Sequence, residues 1–119
     1  MASHNDLGKK GEVLAEKFLW ANGYEVLASN YRFEKAEIDL IAKKDNILIV
    51  VEVKTRSSAY FGFPEEFVTE KKEQLLSDAI DDYLEKENLD LPIRFDIISI
   101  VLQKNKNPEI MHFKDAFNA

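Results

Sequence analysis

Cysteine is absent from this 119-residue chain, which excludes disulfide bonds and thiolate-bound metal sites. The two histidines, His4 and His112, are too far apart to suggest a zinc motif. No run approaches the roughly 20 apolar residues of a membrane span, and the polar start lacks the apolar core of a signal peptide. Without a Walker-type glycine-rich loop, nucleotide-driven activity is disfavoured. We therefore expect a cytoplasmic protein that has no membrane partner.

The content of hydrophobic residues, 45%, is enough for residues 1–119 to form one domain with a real core. The net charge of −6 argues against general affinity for nucleic acid, because Lys and Arg drive phosphate binding. The acidity is local, however: residues 60–96 carry eleven acidic and four basic residues, whereas residues 1–59 carry nine of each. If DNA binds, we expect it to meet the first half of the chain, near Lys9, Lys10, Arg32, Lys35, Lys54 and Arg56.

Two strand patterns dominate the stretch from Ala36 to Arg56, joined by a polar turn at Lys43 to Asn46. Strand side chains alternate between faces. In the first strand this alternation predicts Glu37 and Asp39 on one face and Ile38, Leu40 and Ala42 on the other. In the second it predicts Ile47, Ile49, Val51 and Val53 on one face, with Leu48, Val50, Glu52 and Lys54 on the other. The run Ile47 to Val51 is apolar on both faces, which predicts a central strand covered on both sides.

Charge at the end of such a strand needs compensation. A hairpin closed at Lys43 to Asn46 brings Asp39 beside Glu52, with Lys54 two residues further on. Buried carboxylates are costly unless they are paired, hydrogen-bonded or bound to a cation. Two of them suit a hard cation such as magnesium, and a neighbouring ammonium can orient water or neutralise developing charge.

These residues resemble a known pattern. Asp39 followed by Glu52-Val53-Lys54 resembles the PD-(D/E)xK nuclease signature. More closely, the chain resembles the YraN-like bacterial family, uncharacterised proteins described as predicted endonucleases distantly related to archaeal Holliday junction resolvases. The shared motifs are G-x-x-G-E at Gly8 to Glu12, N-Y-R at Asn30 to Arg32, E-I-D-L-I at Glu37 to Ile41, V-E-V-K-T-R at Val51 to Arg56, F-G-x-P at Phe61 to Pro64, Lys72, and R-F-D at Arg94 to Asp96. Ala36 departs from the glycine that usually precedes E-I-D.

The resemblance implies a metal-dependent endonuclease that hydrolyses phosphodiester bonds in DNA, branched or otherwise structured DNA included. Asp39 and Glu52 would bind Mg²⁺, with Mn²⁺ as the alternative ion, and the backbone carbonyl of Val53 would be a further ligand. Lys54 would orient the attacking water or steady the leaving charge. Supporting ligands or water-orienting groups would be Glu12 and Glu37.

The resemblance also selects nucleic-acid contacts. Arg32, Arg56 and Lys72 would bind phosphate, although from the residues alone each arginine is equally a surface ion-pair member. Because resolvase-like enzymes act as symmetric dimers on symmetric junctions, a homodimer is a further expectation.

The remaining elements complete an α/β architecture. The patterns predict a helix capped by Asn5 or Asp6 and ending near Ala21, a strand from Tyr24 to Tyr31, a helix capped by Thr69 and ending near Asn88, and strands at Ile93 to Leu102 and Glu109 to Phe113. Asn22-Gly23 supplies the stop for the first helix. The order α-β-β-β-α-β-β is typical of a mixed central sheet flanked by helices, and it resembles the restriction-endonuclease-like core.

A different interpretation of the same residues stays open. Asp39, Glu52 and Lys54 are also consistent with a structural ion-pair cluster, because clustered charges mark functional sites only probabilistically. The chain would then be a non-catalytic nucleic-acid-binding or partner-binding module. Glu12 is likewise consistent with a solvated glutamate early in a helix, where the helix dipole favours negative charge.

Overall fold

The computed structural model describes residues 4–57 and 68–117, in which two helices flank one five-stranded sheet. In chain order the elements are α1 (His4–Ala21), β1 (Glu25–Phe33), β2 (Ala36–Lys44), β3 (Ile47–Arg56), α2 (Glu70–Lys86), β4 (Ile93–Val101) and β5 (Glu109–Phe113). This confirms the predicted order and fold class. The F-G-x-P motif at Phe61 to Pro64 lies outside the described residues. No helix in the described ranges is both long enough and apolar enough to span a bilayer.

Strand β3 is the centre of the sheet, whose order is β1-β2-β3-β4-β5. It pairs antiparallel with β2 and parallel with β4, so the sheet is mixed. The side chains from Leu48 to Val51 are fully buried. The prediction of a central strand covered on both faces is therefore confirmed.

The two faces of the sheet carry two separate hydrophobic clusters. Leu48 and Val50 pack on the side of α2, whereas Ile49 and Val51 pack on the side of α1. This alternation is the predicted one for β3. For β2 the prediction is wrong in part, because Ile38 packs on the α2 side while Leu40 and Ala42 pack on the α1 side.

The break in the alternation of β2 lies opposite a kink in β1. Ser29 pairs with Leu40 and Tyr31 pairs with Ile38, so Asn30 stands opposite Asp39. Asn30 has φ of 52°, in the left-handed region. Asparagine is one of the few side chains that enter this region readily. The pairing of β1 with β2 is irregular at Asn30 and Asp39, and on the two sides of this point Ile38 and Leu40 pack on opposite faces of the sheet.

Caps and turns set the ends of the other elements. The hydroxyl of Thr69 accepts a hydrogen bond from the backbone N–H of Lys72 at 3.2 Å, which confirms the predicted cap of α2. Gly23, with φ of 86°, ends α1 as expected. The start of α1 differs, because the helix begins at His4 and Asn5 and Asp6 lie within it instead of capping it.

The turn between β2 and β3 is tighter than predicted. It consists of Asp45 and Asn46, and both have positive φ, 53° and 62°. Two consecutive left-handed residues match the right-handed twist of a hairpin. This turn fixes the register in which Leu40 faces Val51.

Candidate functional site

Strands β2 and β3 separate at the residues that carry the predicted chemistry. Their backbone ladder runs from Lys44 and Ile47 to Leu40 and Val51. Beyond that point β2 continues beside β1, and β3 continues beside β4. Asp39 and Glu52 are the next residues on the two separating strands. We call these two side chains, together with the backbone of Val53, the carboxylate fork.

The carboxylates of the fork take the hydrogen bonds that the ladder gives up. The backbone N–H of Val53 donates to Oδ2 of Asp39 at 2.8 Å. The backbone N–H of Asp39 is 3.4 Å from Oε2 of Glu52, at the long end of hydrogen-bond distance. Each strand thus bonds a side chain of the other, and the two carboxylates are held close together as the sequence predicts.

Burial of the two carboxylates carries a cost in free energy when they are charged. The side chain of Glu52 is 2% exposed. Burial, followed by the negative charge of Glu52, raises the pKa of Asp39 to about 7, although the hydrogen bond from Val53 acts in the opposite direction. A carboxylate whose ionisation is disfavoured by burial and by a second carboxylate is a place where a cation is stabilising.

Lys72 supplies one such cation from the first turn of α2. Its Nζ lies 2.7 Å from Oε1 of Glu52. Burial opposes the charge on Lys72, but the charge and hydrogen bond of Glu52, together with the charge of Asp39 and a hydrogen bond with Lys54, raise the pKa of this ammonium. The sequence indicated Lys72 only as a phosphate contact, through the resemblance, and the ion pair with Glu52 is a structural finding.

Lys54 has a different environment. It follows Glu52 by two residues on β3, on the same face of the strand. Burial, and then the positive charge of Lys72, lower the pKa of Lys54. The charges of Glu52 and Asp39 act in the opposite direction, which places Lys54 within electrostatic reach of the fork.

Asn30 connects the supporting carboxylates. Its Nδ2 is 3.1 Å from Oε1 of Glu12 and 3.3 Å from Oε1 of Glu37. Glu37 also forms an ion pair with Arg32 at 2.7 Å, and the arginine side chain is 80% exposed. The charge of Glu12 contributes to the raised pKa of Asp39, so this group adjoins the fork.

Sequence reasoning gave Asn30 no role beyond its place in the N-Y-R motif. The available signal was an asparagine inside a predicted strand, where this residue type is disfavoured. The structure gives it two functions, since it kinks β1 opposite Asp39 and also links Glu12 with Glu37.

Helix α1 brings Glu12 to the fork through a close approach at Gly11. A Cβ on Gly11 would overlap the hydroxyl of Thr55 on β3 and would lie 2.9 Å from its methyl group. Glycine therefore allows α1 to lie against the strand that carries Glu52. Gly8, by contrast, faces open space.

A cavity of about 320 Å³ opens between the start of β2 and the first turn of α2. Lys35, Lys71 and Lys72 border it, together with Glu37. It lies beside the Lys72–Glu52 pair and offers positive charge next to the fork. Arg56, at the end of β3, is two residues beyond Lys54 and is positioned by its pairing with Val101 of β4.

The donor atoms of the fork are oxygens, the ligand type that hard cations such as Mg²⁺ and Mn²⁺ take. Within residues 4–57 and 68–117, no three His, Cys, Asp or Glu side chains form a ready-made metal site. Magnesium is usually held by only one or two carboxylates, with water and substrate phosphate completing its shell. The donors here are carboxylate oxygens on two adjoining strands, which suits a hard cation and gives no preference for a softer one.

Residues 11–100 match the family model described as "Uncharacterised protein family UPF0102". A UPF0102 protein of Flavobacterium psychrophilum is 56% identical over 117 residues, covering 98% of both chains. One from Christiangramia forsetii is 52% identical, again over 98% of both chains. One from Phocaeicola vulgatus is 44% identical over 98% of this chain and 96% of the relative.

Proposed function

The chain belongs to the uncharacterised protein family UPF0102, and on that premise we propose that it is a metal-dependent nuclease that hydrolyses phosphodiester bonds in DNA, structured DNA included. The observation that carries this proposal is the carboxylate fork. Asp39 and Glu52 converge from adjoining strands with their side chains largely withdrawn from water, and the pKa of Asp39 is raised to about 7. Perturbed carboxylates of this kind are functional-site candidates.

Asp39 and Glu52 would hold the metal ion, and the carbonyl of Val53 is a third oxygen at the same place in the chain. When bound, magnesium or manganese lowers the pKa of water and stabilises negative charge on the phosphate. Hydrolysis forms one bond from the water oxygen to phosphorus and breaks one phosphorus–oxygen bond of the backbone, and the departing oxygen takes up a proton.

Lys54 is the group that would orient the attacking water or steady the charge on the departing oxygen. Its pKa is lowered by burial and by Lys72, which brings it nearer to the range in which an ammonium can give up a proton. Glu12 and Glu37, held together by Asn30, would support the metal or its waters. Lys72, Arg32 and Arg56 would bind phosphate groups on either side of the reacting one.

Two further parts of the proposal follow from composition and from the resemblance to resolvases. A chain without cysteine is compatible with a reducing cytoplasm, where this protein would act. A homodimer would present two forks to one symmetric junction.

A second candidate function is a nucleic-acid-binding or partner-binding module that has the nuclease fold but no hydrolytic activity. The specific observation in its favour is that both carboxylates of the fork have protein partners. Glu52 pairs with Lys72, and Asp39 accepts from Val53. A buried ion-pair cluster of this kind can exist for structural reasons alone.

Cleavage of a panel of labelled nucleic acids tests the proposal. The panel contains duplex, single-stranded, flap and four-way-junction DNA and an RNA duplex, each incubated with magnesium or manganese. The proteins are the wild type, Asp39→Asn and Lys54→Ala. The matched controls are Glu34→Gln and Lys86→Ala, which change the same charges away from the fork.

We expect the wild type and both controls to cut at least one DNA structure, and Asp39→Asn and Lys54→Ala to lose at least about 100-fold in rate. Cutting that survives in both fork variants would point to a contaminating nuclease. No cutting by any of the proteins, with nucleic-acid binding intact in all of them, would identify the non-catalytic module.

A further inference from the structure

Helix α1 carries a row of lysines on the face turned away from the sheet. Lys9, Lys10, Val13 and Lys17 recur at the three- and four-residue spacing that places side chains on one side of a helix. They line a groove of about 700 Å³ whose other wall is the segment after β4, including Lys106. We call this the lysine groove.

The lysine groove is positively charged although the chain as a whole has a net charge of −6. Four lysines line it against a single carboxylate, that of Asp6. Its floor is apolar and includes Leu14, Leu102 and Pro108. Val13, also in the groove, is 55% exposed. Positive charge over an apolar floor is complementary to a sugar–phosphate backbone.

A second cavity adjoins the lysine groove on the side of Glu12 and Asn30, and Glu16 lines it as well. It has a volume of about 250 Å³ and shares Lys9 and Val13 with the groove. Its other end is formed by residues that include Glu12, Asn30 and Leu40. Asn30 stands opposite Asp39 and hydrogen-bonds Glu12, whose charge acts on Asp39, so the lysine groove continues along α1 to the supporting residues of the fork.

We propose that the lysine groove binds the phosphate backbone of the nucleic-acid arm that extends from the reacting position. This inference rests on the proposed function, because it assigns the groove to the substrate of the same site. From Lys9 to Lys17 the helix rises by about 12 Å. Phosphates of one strand repeat about every 3.4 Å along a duplex axis, so about three phosphates fit this length.

Binding of a labelled 30-base-pair DNA duplex in EDTA tests the groove without any need for cleavage. Fluorescence anisotropy is measured as the salt concentration rises. The test variant is Lys10→Gln/Lys17→Gln/Lys106→Gln. The charge-matched control is Lys43→Gln/Lys86→Gln/Lys114→Gln, whose lysines do not line the groove.

We expect the groove variant to bind at least tenfold more weakly than the wild type in low salt. Each phosphate contact contributes nearly one to the slope of log K against log salt, so we also expect that slope to fall by about 2 to 3. The control variant should lose less than about threefold. Equal losses in the two variants, or no binding by the wild type, would overturn the inference.

Trp20 provides a second readout one helical turn beyond Lys17, the last groove lysine of α1. It is the single tryptophan of the chain, it is 53% exposed, and it follows Lys17 by three residues on α1. Unlabelled duplex should change its fluorescence in the wild type and in the control variant, and should lose this effect in the groove variant. A fluorescence response that the groove variant keeps at wild-type DNA concentrations would also overturn the inference.

Failure of this inference is distinguishable from failure of the proposed function. If the wild type cleaves DNA but its DNA binding does not depend on the three groove lysines, the inference about the groove is wrong and the proposed nuclease function stands. If DNA binding depends on the groove lysines but no protein cleaves DNA, the proposed nuclease function is wrong and the groove is still a nucleic-acid binding site.

Discussion

Nζ of Lys72 lies 2.7 Å from Oε1 of Glu52, so the first turn of α2 neutralises a buried carboxylate of the central strand. Replacing Lys72 by Met would remove this partner from Glu52, whose side chain is 2% exposed. Because Lys72 is itself one-third exposed, we expect a loss of roughly 2 kcal/mol in the free energy of unfolding. Urea denaturation at pH 7 measures it.

Lys71→Met is the matched control for this prediction, since Lys71 is the neighbouring, exposed lysine. It should change stability by less than about 0.5 kcal/mol. The double variant Lys72→Met/Glu52→Gln should recover part of the loss, because the unpaired charge is then gone. Equal effects of the two Lys→Met changes would mean that the ion pair does not stabilise the fold.

The raised pKa of Asp39 predicts that the fork lowers the free energy of unfolding by an amount that depends on pH. The folded protein binds this proton more tightly than the unfolded chain does, since the pKa is about 7 when folded and 3.8 in the reference state. The contribution of Asp39 to stability therefore falls as pH rises from about 4 to about 7. Asn keeps an oxygen for the N–H of Val53, so Asp39→Asn should stabilise the metal-free protein by roughly 1–3 kcal/mol at pH 8.

Thermal unfolding in EDTA at pH 4 and at pH 8 measures this difference. The advantage of Asp39→Asn should shrink towards zero at pH 4, where the wild-type carboxyl is protonated in the folded state. Glu34→Gln, in the exposed turn after β1, should show no such trend. A variant that is less stable than the wild type at both pH values would show that the charge of Asp39 is well compensated.

Divalent cations should stabilise the wild type and not the fork variants. A ligand that binds only the folded state at ten times its dissociation constant contributes about 1.4 kcal/mol. For a chain of this size that contribution corresponds to a rise of roughly 6 °C in the Tm of the wild type at this magnesium concentration. Asp39→Asn and Glu52→Gln should lose this rise, and calorimetry with and without EDTA shows whether they do. The same rise in all three proteins would place the binding ion elsewhere.

Gly11 should be sensitive to the smallest substitution. A Cβ at this position overlaps the hydroxyl of Thr55, and α1 must move away from β3 to admit it. We expect Gly11→Ala to destabilise the fold by roughly 1–3 kcal/mol, as in other overpacked sites. Gly8→Ala, in the same helix but facing open space, should be neutral or stabilising by up to about 1 kcal/mol. Chemical denaturation of the two variants compares them directly.

Gly11→Ala should also weaken any activity of the fork, because Glu12 is displaced with the helix. Adding Thr55→Ala should restore part of the stability, since it removes the group that clashes. If Gly8→Ala and Gly11→Ala behave alike, the effect belongs to helix propensity and not to the contact with Thr55.

The buried, hydrogen-bonded environment of Asp96 predicts part of the loss of stability in acid. Asp96 is fully buried and accepts hydrogen bonds from Arg94 at 2.8 and 2.9 Å and from the backbone of Asp115 at 3.0 Å, and His112 Nε2 lies 2.7 Å from Oδ2. Burial opposes its charge, but the hydrogen bonds from His112, Arg94 and the backbone of Asp115, together with the charge of Arg94, lower the pKa of Asp96. Its stabilisation is therefore present above pH 4 and is lost as pH falls through the lowered pKa.

Asp96→Asn should cost roughly 3 kcal/mol at pH 7, because it leaves the buried part of Arg94 without a counter-charge. It should also flatten the fall in stability between pH 4 and pH 2. Asp78→Asn, on the exposed face of α2, should leave both the level and the pH profile unchanged. If stability falls equally steeply between pH 4 and pH 2 in Asp96→Asn and in the wild type, the acid sensitivity comes from other carboxylates.

The sequence by itself determined the elements and the order in which they follow one another. Period-two alternation identified β3 and β4, a run apolar on both faces identified β3 as central, and Thr69 and Gly23 set two helix ends. These signals are local, since they depend on residues within a few positions of each other along the chain. The approach of Asp39 to Glu52 was also predictable, because a tight hairpin fixes which residues of its two strands meet.

Only the tertiary structure decided what surrounds that pair. Lys72 reaches Glu52 from a helix twenty residues further along the chain, Asn30 links Glu12 with Glu37, and Lys106 meets the lysines of α1 across the groove. The faces of β2 also departed from strict alternation, because Ile38 and Leu40 pack on opposite sides of the sheet. Long-range contacts depend on how helices lie against the sheet, and that placement is set by packing of the whole core, which no local pattern records.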